Sequence, residues 1–381
     1  VAVTAFMTRS VTIIGLIHRR QTPAFGGAPL VMANLANHCA RRGLGVEVLV
    51  FTSPGIRDLP FRFDERVRLG MLRAQSRLGL YAQIARALLR SRPHVIIAGG
   101  TKANLLDAHA TRLPGVSGRL WVMLHHNLSS EMEGWSRGKR ERRIRLWRSV
   151  LRRAAGLIAV SQGIAEDFLA QTGASGSQVN VIYNPIVDPV FEARIREPAD
   201  HPWFRDDGPP VILGAGRLTA QKDFATLVAA FALLRERRPC RLLIIGEGEE
   251  RERLEQLAAM LGVGEHVALA GFKPNPLPYM RAARLLVMSS RWEGFGNVLV
   301  EALYCGTPVV STDCPHGPRE VLGDGAWGRL VPVGDPGALA AAMGEALDEE
   351  PDRPRLRARA EEFSVRTIGD RYLSLLFRAP R

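Results

Sequence analysis

Two cations and two carboxylates in the second half of the sequence have the types and spacing of a site for a phosphate and a ligand rich in hydroxyls. Arg217 and Lys222 follow the glycine turn Gly214-Ala-Gly216, and Glu293 and Glu301 bracket a second turn, Gly294-Phe295-Gly296-Asn297. A guanidinium offers a planar fork and an ammonium a point charge, a combination suited to a diphosphate. Ionised carboxylates only accept hydrogen bonds, so a pair of them beside a turn suits a ligand rich in hydroxyls. Gly294 and Gly296 let backbone approach such a ligand, and the amides that open a helix point at any anion there. In the first half, Gly26-Gly27 precede Pro29 and a helical pattern, a loop able to hold a phosphate or to let substrate pass close to backbone. His125-His126-Asn127 close a strand-like run, which makes either histidine a candidate for chemistry at a crevice.

The elements that must position these residues read as alternating strands and helices. Apolar, β-branched runs at 11–17, 46–51, 94–98, 120–124 and 156–161 predict strands in the first half. Runs at 211–213, 241–245, 267–270, 285–288, 309–312 and 330–333 predict them in the second. Helical periodicity intervenes, for example at 78–89, 223–235, 298–303 and 335–347. The alternation predicts an α/β chain with two Rossmann-like, doubly wound parallel-sheet domains facing each other across a cleft, with ligands beyond the carboxyl ends of the strands. Proline, charge and weak periodicity mark an interdomain linker with a short insertion. The resulting division is a first domain over 1–186 for the acceptor, a linker over 187–210, a donor domain over 211–362, and a C-terminal helix over 363–381 that crosses back to the first domain.

With 381 residues, 46% of them hydrophobic and 23% charged, the composition is that of a folded protein. The formal charge of +13 favours an anionic partner. It is concentrated in the segment 137–153, from Arg137 to Arg153, where Ile144, Trp147 and Leu151 form one apolar stripe among many arginines. Such a helix packs its stripe on the domain or lies on an anionic membrane surface. No recognised nucleic-acid motif accompanies the charge, so no nucleic-acid partner is expected. Cys39, Cys240, Cys305 and Cys314 lie far apart, without metal-like spacing, and point to a reducing cytoplasm. No apolar run approaches the roughly 20 residues of a membrane-spanning helix, and Arg9 interrupts what would otherwise resemble a signal peptide. The expected location is cytoplasmic, with the inner face of the cell membrane as a peripheral site.

Taken in order, Gly26-Gly27, His125-His126, Val181-Ile-Tyr-Asn-Pro185, Gly216-Arg217 with Lys222, Ile244-Ile-Gly-Glu-Gly248, Ala270-Gly271-Phe272 and Glu293-x7-Glu301 resemble the nucleotide-sugar glycosyltransferases of family 4, with the GT-B fold. The resemblance runs through nearly the whole chain and is densest over 211–333. It implies transfer of a hexose or N-acetylhexosamine from a nucleotide-diphosphate sugar, a UDP-sugar first among them, with retention of anomeric configuration. The donor is then a co-substrate, and neither a cofactor nor a metal is required, in keeping with the lack of an Asp-x-Asp motif. The implied acceptor is a glycan or lipid-linked sugar of the cell envelope.

Carried onto these positions, the resemblance assigns Arg217 and Lys222 to the diphosphate and to the charge that builds on it as the glycosidic bond breaks. Glu301 accepts from the ribose, Glu293 faces the donor sugar, and the amides of Phe295, Gly296 and Asn297 cap sugar or phosphate. Gly271 and Phe272 lie near the base, while Gly26 and Gly27 approach the diphosphate. The family's histidine contacts the donor sugar; the His-Asn pairing favours His126, with His125 as the alternative. The family's Gly-Gly-x-x-Glu reads His316-Gly-Pro-Arg-Glu320 here, which leaves Glu320 in place but puts a histidine where one glycine is usual. Competing readings are a nucleotide-sugar epimerase or hydrolase on the same fold and a non-catalytic nucleotide-sugar-binding protein. An NAD oxidoreductase fits less well, since neither glycine loop is G-x-G-x-x-G.

Overall fold

The structure is a computed structural model that describes residues 9–15, 27–51, 62–73, 76–99, 111, 113–205 and 207–378; Gly26 lies outside them. Among the described residues the chain forms two compact units, one running to Pro185 and resuming at Val365, the other Ile186–Ser364.

In the first unit the elements run β1 (Ser10–Gly15), α1 (Gly27–Arg41), β2 (Gly45–Phe51), β3 (Val67–Leu72), α2 (Arg77–Ser91), β4 (Val95–Gly99), β5 (Arg119–Leu124), α3 (Leu128–Glu131), α4 (Arg137–Leu151), β6 (Gly156–Ala159), α5 (Gln162–Thr172) and β7 (Val179–Val181). The strands form one seven-stranded sheet in the order β3-β2-β1-β4-β5-β6-β7, with every pairing parallel. Burial on both faces explains the nearly unbroken apolar runs of β4 and β5. Ser161 caps α5 by accepting from the Ile164 amide at 3.3 Å. Gly27 is the first residue of α1 itself rather than part of the loop before it.

The apolar stripe of α4 packs inward. Trp147 is 5% exposed and meets Phe168 edge-on at 5.3 Å. This tryptophan is therefore not available for insertion into lipid, and only the arginine face of α4 is presented outward.

The second unit contains α6 (Phe191–Arg194), β8 (Val211–Ala215), α7 (Phe224–Arg235), β9 (Arg241–Ile245), α8 (Arg251–Met260), β10 (Val267–Leu269), α9 (Leu277–Ala282), β11 (Leu285–Met288), α10 (Asn297–Tyr304), β12 (Val309–Thr312), α11 (Pro318–Val321), β13 (Arg329–Val331), α12 (Pro336–Asp348) and α13 (Arg353–Glu361). Its six parallel strands follow the order β10-β9-β8-β11-β12-β13. Residues expected to act as a linker are built into this unit: Phe191 is fully buried and packs edge-on against Tyr304 at 5.4 Å. The last helix, α14 (Val365–Leu376), belongs to the first unit, where Asp370 accepts from the ring Nε2 of His38, on α1, at 2.9 Å and also pairs with Arg42 just beyond that helix.

Both sheets reverse their strand order once, between β1 and β4 in the first unit and between β8 and β11 in the second. Loops leaving the two central strands in opposite directions open a crevice at the carboxyl edge. The second unit's central strands are held by α7, which buries Leu227, Ala230, Phe231 and Leu234 at helical spacing into a core shared with Ile212, Leu242, Leu339 and Met343. Truncating Phe231 to Ala should cost about 3–5 kcal/mol of stability. Denaturant unfolding followed by a spectroscopic signal of the second unit checks this, and a loss below about 1 kcal/mol would contradict the packing described.

Candidate functional site

At the reversal in the second sheet, the loops after β8 and β11 are fastened to each other. Gln221 donates through Nε2 to the Trp292 carbonyl at 2.9 Å, and its own carbonyl accepts from the Arg291 amide at 2.8 Å. Ser289 Oγ donates to the Lys222 carbonyl at 2.9 Å. These ties place Lys222 beside Glu293, and the ammonium pairs directly with Glu293 Oε1. Ser290 Oγ donates to the same oxygen at 2.6 Å, and Thr312 Oγ1 holds the Ser290 carbonyl at 2.6 Å. The two charged side chains are only 17% and 8% exposed, so each serves as the counter-ion that the other's burial demands. Arg217, by contrast, is exposed and makes no ion pair among the described residues.

Close backbone approach shapes the rest of the corner. A Cβ on Gly246 would sit 1.8 Å from the Gly216 carbonyl oxygen, and Gly246 has φ +143°. Gly216 donates to the Ile245 carbonyl at 3.0 Å and Gly246 to that of Gly271 at 2.9 Å, so the loops after β8, β9 and β10 are stitched in sequence. Gly271, with φ +75°, and the half-buried Phe272 thus join the same edge of the sheet. Gly296 caps α10 with φ +91°, and Asn297 is the helix's first residue. The Phe295 side chain is buried against Phe363 at 5.4 Å; it anchors the turn, and only its backbone faces a ligand role. His316 adopts φ +70°, and Gly317, at φ +93°, presses so closely on Phe295 that a Cβ would lie 2.3 Å from its carbonyl oxygen. Glu320 follows on α11, its carbonyl accepting from Arg359 at 2.7 Å.

Glu301 stands one turn into α10. Desolvation pushes its carboxyl up to about 7, opposed by the charge of Arg194. Its carboxylate makes no hydrogen bond or ion pair among the described residues, so its acceptor sites are open to a ligand.

In the first unit, His125 and His126 follow β5 directly, at the carboxyl edge of the sheet. Burial drives the His125 imidazole down to about 3, with a smaller push from His126, so this ring is neutral at physiological pH. Its Nε2 is buried with no hydrogen-bond partner among the described residues. His126 is exposed. Asn127 is buried and donates to Ser130 Oγ at 2.9 Å, while Asp167 accepts from the amides of Leu128 and Ser129, so the turn after the histidines is rigidly held. Gly27 opens α1 in the same unit.

The second unit therefore brings together Gly216, Arg217, Lys222, Gly271, Phe272, Glu293, Gly294, Phe295, Gly296, Asn297 and Glu301 around one crevice edge; Gly27, His125 and His126 belong to the other unit. Sequence reasoning missed Ser290 and Gln221. The pair Ser289-Ser290, polar residues ending an apolar strand, was the available signal for the first. Among the described residues, no cluster of three or more His, Cys, Asp or Glu side chains is arranged to hold a metal ion.

Comparison with known proteins finds relatives over nearly the whole chain. The family model described as Glycosyltransferase Family 4 matches residues 25–188, and that described as Glycosyl transferases group 1 matches residues 196–363. The chain is similar to the lipopolysaccharide core biosynthesis glycosyltransferase LpsE of Rhizobium meliloti, at 29% identity over 93% of this chain and 97% of that protein. It is also 32% identical over 202 residues, 53% of each chain, to the N-acetylgalactosamine-N,N'-diacetylbacillosaminyl-diphospho-undecaprenol 4-alpha-N-acetylgalactosaminyltransferase of Campylobacter jejuni. Among solved structures, Anabaena HepE in complex with UDP and glucose superposes with a TM-score of 0.76 at 23% identity, covering 97% of this chain and 99% of that one, a likeness of fold.

The position of Glu301 has a consequence for stability. Its folded-state value of about 7 lies above the ordinary 4.5, so the folded state keeps a proton that the unfolded chain releases. The associated stability is fully present below about pH 4.5 and is lost as pH rises through about 7, a change of at most about 3 kcal/mol. Glu301→Gln should therefore match the wild type at pH 4.5 and exceed it in melting temperature at pH 8. Equal melting temperatures at both pH values would show that Glu301 is well solvated.

Proposed function

We infer that this chain, which belongs to the family 4 glycosyltransferases of the GT-B fold, moves a hexose or N-acetylhexosamine from a UDP-sugar to a glycan or lipid-linked acceptor of the cell envelope. The observation that carries the donor reading is the pairing of Lys222 with Glu293 at the sheet reversal, with the exposed Arg217 beside it. A diphosphate arriving there meets two cations, one of them already held in place by Glu293, which Ser290 in turn fixes. The UDP and glucose in the HepE complex support a UDP-sugar as donor, and the names of the Rhizobium and Campylobacter relatives support an envelope acceptor.

In this reading Glu301 accepts hydrogen bonds from the ribose hydroxyls, and Glu293 faces the sugar. Lys222 and Arg217 stabilise the charge that grows on the diphosphate as the bond to the anomeric carbon lengthens; their effect is largest in the transition state, where that charge is greatest. Both carboxylates have work in binding, which leaves neither as a nucleophile. Transfer then proceeds with retention: the leaving phosphate departs on the face where the acceptor hydroxyl arrives, and its oxygen takes the hydroxyl proton. His126, or His125 in its neutral form, contacts the donor sugar. In this reading no metal is needed to neutralise the diphosphate.

The acceptor reading gives the arginine face of α4 a purpose. Arg142 and Arg145 are exposed and carry no ion pair among the described residues, whereas Arg137 pairs with Glu141 and Arg148 is tied to the Thr172 carbonyl. Such a face attracts anionic headgroups at about 1 kcal/mol per residue near the surface. It would hold the protein peripherally on the inner face of the membrane, where lipid-linked acceptors are found.

A thermal-shift screen of nucleotide-sugars, repeated on Lys222→Ala, tests the donor reading, because a ligand that binds only the folded state raises the melting temperature. A UDP-sugar should stabilise the wild type, and Lys222→Ala should lower turnover of that donor by about 10²–10³-fold. Near-normal turnover by Lys222→Ala would overturn the diphosphate assignment. For the membrane, Arg142→Glu with Arg145→Glu should release the protein from vesicles containing anionic lipid while sparing turnover of a soluble acceptor; unchanged vesicle binding would sink that part of the reading.

A further inference from the structure

Among the described residues the chain passes between the two units at 185–186 and at 364–365, and one residue holds both passages. The Phe363 carbonyl accepts from the amides of Ile186, at 2.9 Å, and Val187, at 3.3 Å, while Val187 and Ser364 form an isolated parallel bridge. Just before the first passage, Asn34 Nδ2 donates to the Pro185 carbonyl at 2.9 Å within the first unit. The hydrogen bonding therefore changes from one unit to the other within a single peptide step, and the backbone at Ile186 follows Phe363.

The Phe363 side chain is committed to the turn 294–297. Its buried ring meets the Phe295 ring edge-on, at 5.4 Å and 70°. The Arg359 guanidinium lies 4.9 Å from the centre of the Phe363 ring and 4.5 Å from that of Trp327, and it donates to the carbonyls of Glu320 at 2.7 Å and Val321 at 3.0 Å. On the far side of the turn, Gly317 presses so closely on the Phe295 carbonyl that neither can retreat. Two buried rings backed in this way move together, because a close-packed interior leaves no gap into which one can withdraw alone.

Helix α10 carries the same linkage from its other end. It opens at the turn, with Gly296 as its cap, and closes at Tyr304, which packs edge-on against Phe191 at 5.4 Å and donates its hydroxyl to Glu192 at 3.2 Å. Arg357 pairs with that Glu192 and lies 4.4 Å from the centre of the Tyr304 ring. It belongs to α13, which packs along α10 and ends two residues before Phe363. The segment that follows the first passage and the segment that precedes the second are thus both fastened to the helix that the turn opens.

We propose that Phe363 is a positioning residue for the transfer, coupling occupancy of the turn 294–297 by the donor to the backbone at the two passages. The inference rests on the reading of that turn as part of the donor site. A ligand held by the amides of Phe295, Gly296 and Asn297 restricts the turn. The Phe295 ring passes the restriction to the Phe363 ring, and the Phe363 carbonyl passes it to the amides of Ile186 and Val187. The proposed reaction takes its cations from one unit and its histidine from the other, so the passages are where an occupied donor turn bears on turnover. No further contact with the ligand is needed, since a restriction that favours one arrangement of packed elements is felt wherever those elements are bonded.

Hydrogen exchange of the full chain, read by mass spectrometry with and without UDP-glucose, tests this coupling. Peptides containing Ile186 and Val187 should exchange about five- to tenfold more slowly with UDP-glucose bound, as should peptides containing the turn 294–297. Phe363→Leu stays apolar but no longer reaches the Phe295 ring. It should keep the slowing at the turn, lose the slowing at 186–187, and lower kcat about tenfold while the affinity for UDP-glucose stays within about threefold. Phe295→Leu should give the same pattern from the other side of the contact, and it carries the test if Phe363→Leu folds poorly. Slowing at the turn without slowing at 186–187 in the wild type, or slowing at 186–187 that survives the substitution, overturns the inference and leaves the donor reading intact. UDP-glucose that slows exchange at neither segment overturns the donor reading and the inference with it.

Discussion

The pairing of Lys222 with Glu293 is the constraint from which the donor edge of the second unit is built. Two charges mostly removed from water are tolerated only when each finds the other and the remaining lone pairs and protons are also met. Ser290 meets one of them, and Thr312 fixes Ser290. The backbone ties from Gln221 and Ser289 then follow as a requirement, because a pair formed between loops on two different strands survives only if those loops cannot drift apart. The same requirement explains why glycine stands where backbones meet. Gly246 lies against the Gly216 carbonyl and Gly317 against that of Phe295, distances at which any side chain would push the loops apart.

Holding Lys222 in this way has an electrostatic cost for binding an anion, since Glu293 cancels its charge. Two features offset that cost. Arg217 remains exposed and unpaired among the described residues, so the edge keeps a net positive character. Glu301 is pushed toward neutrality by burial, which spares the site a second negative charge until a ligand with hydroxyls favours its ionisation. The two carboxylates therefore differ in kind although they sit in one short motif: one is spent on a lysine, and the other is left unpartnered and easily protonated. What argues against a glycosidase couple is the commitment of Glu293 to Lys222 and Ser290, which leaves it poorly placed to serve as the nucleophile or base.

Much of this was legible in the residues. The strands of the second sheet announce themselves because burial on both faces demands unbroken apolar runs; Arg241–Ile245, Leu285–Met288 and Val309–Thr312 have the bounds that such runs predict. Strand β3 escaped notice for the opposite reason. It is an edge strand, reads Val-Arg-Leu-Gly-Met-Leu, and leaves Leu69 and Met71 exposed, so neither a continuous apolar run nor a clean alternation marks it. The polar residues around the site were half legible. Arg217, Lys222, Glu293 and Glu301 stand out by type and spacing, but Ser290 and Gln221 take their importance from contacts between segments distant in sequence. The linker reading of 187–210 failed to anticipate the burial of Phe191 because one aromatic residue in a polar stretch has no periodic partners to signal a packed helix.

His316 shows where a departure from a family pattern does and does not matter. A glycine at this position would adopt its left-handed backbone freely; histidine does so at a cost of order 1 kcal/mol, and it has nonetheless taken φ +70°. The turn keeps its shape because its demands fall on the neighbour. Gly317 must approach Phe295 more closely than any Cβ allows, and Glu293 donates its amide to the Pro315 carbonyl at 3.2 Å, so residues 315 and 317 are both bound to the donor corner while residue 316 is carried between them. A side chain at 316 is tolerated because the space beyond its Cα is not claimed by backbone, whereas one at 317 is not. The pattern's first glycine is thus a preference of conformation and its second a necessity of contact, which is why the loop can lose one and still deliver Glu320 to its place on α11.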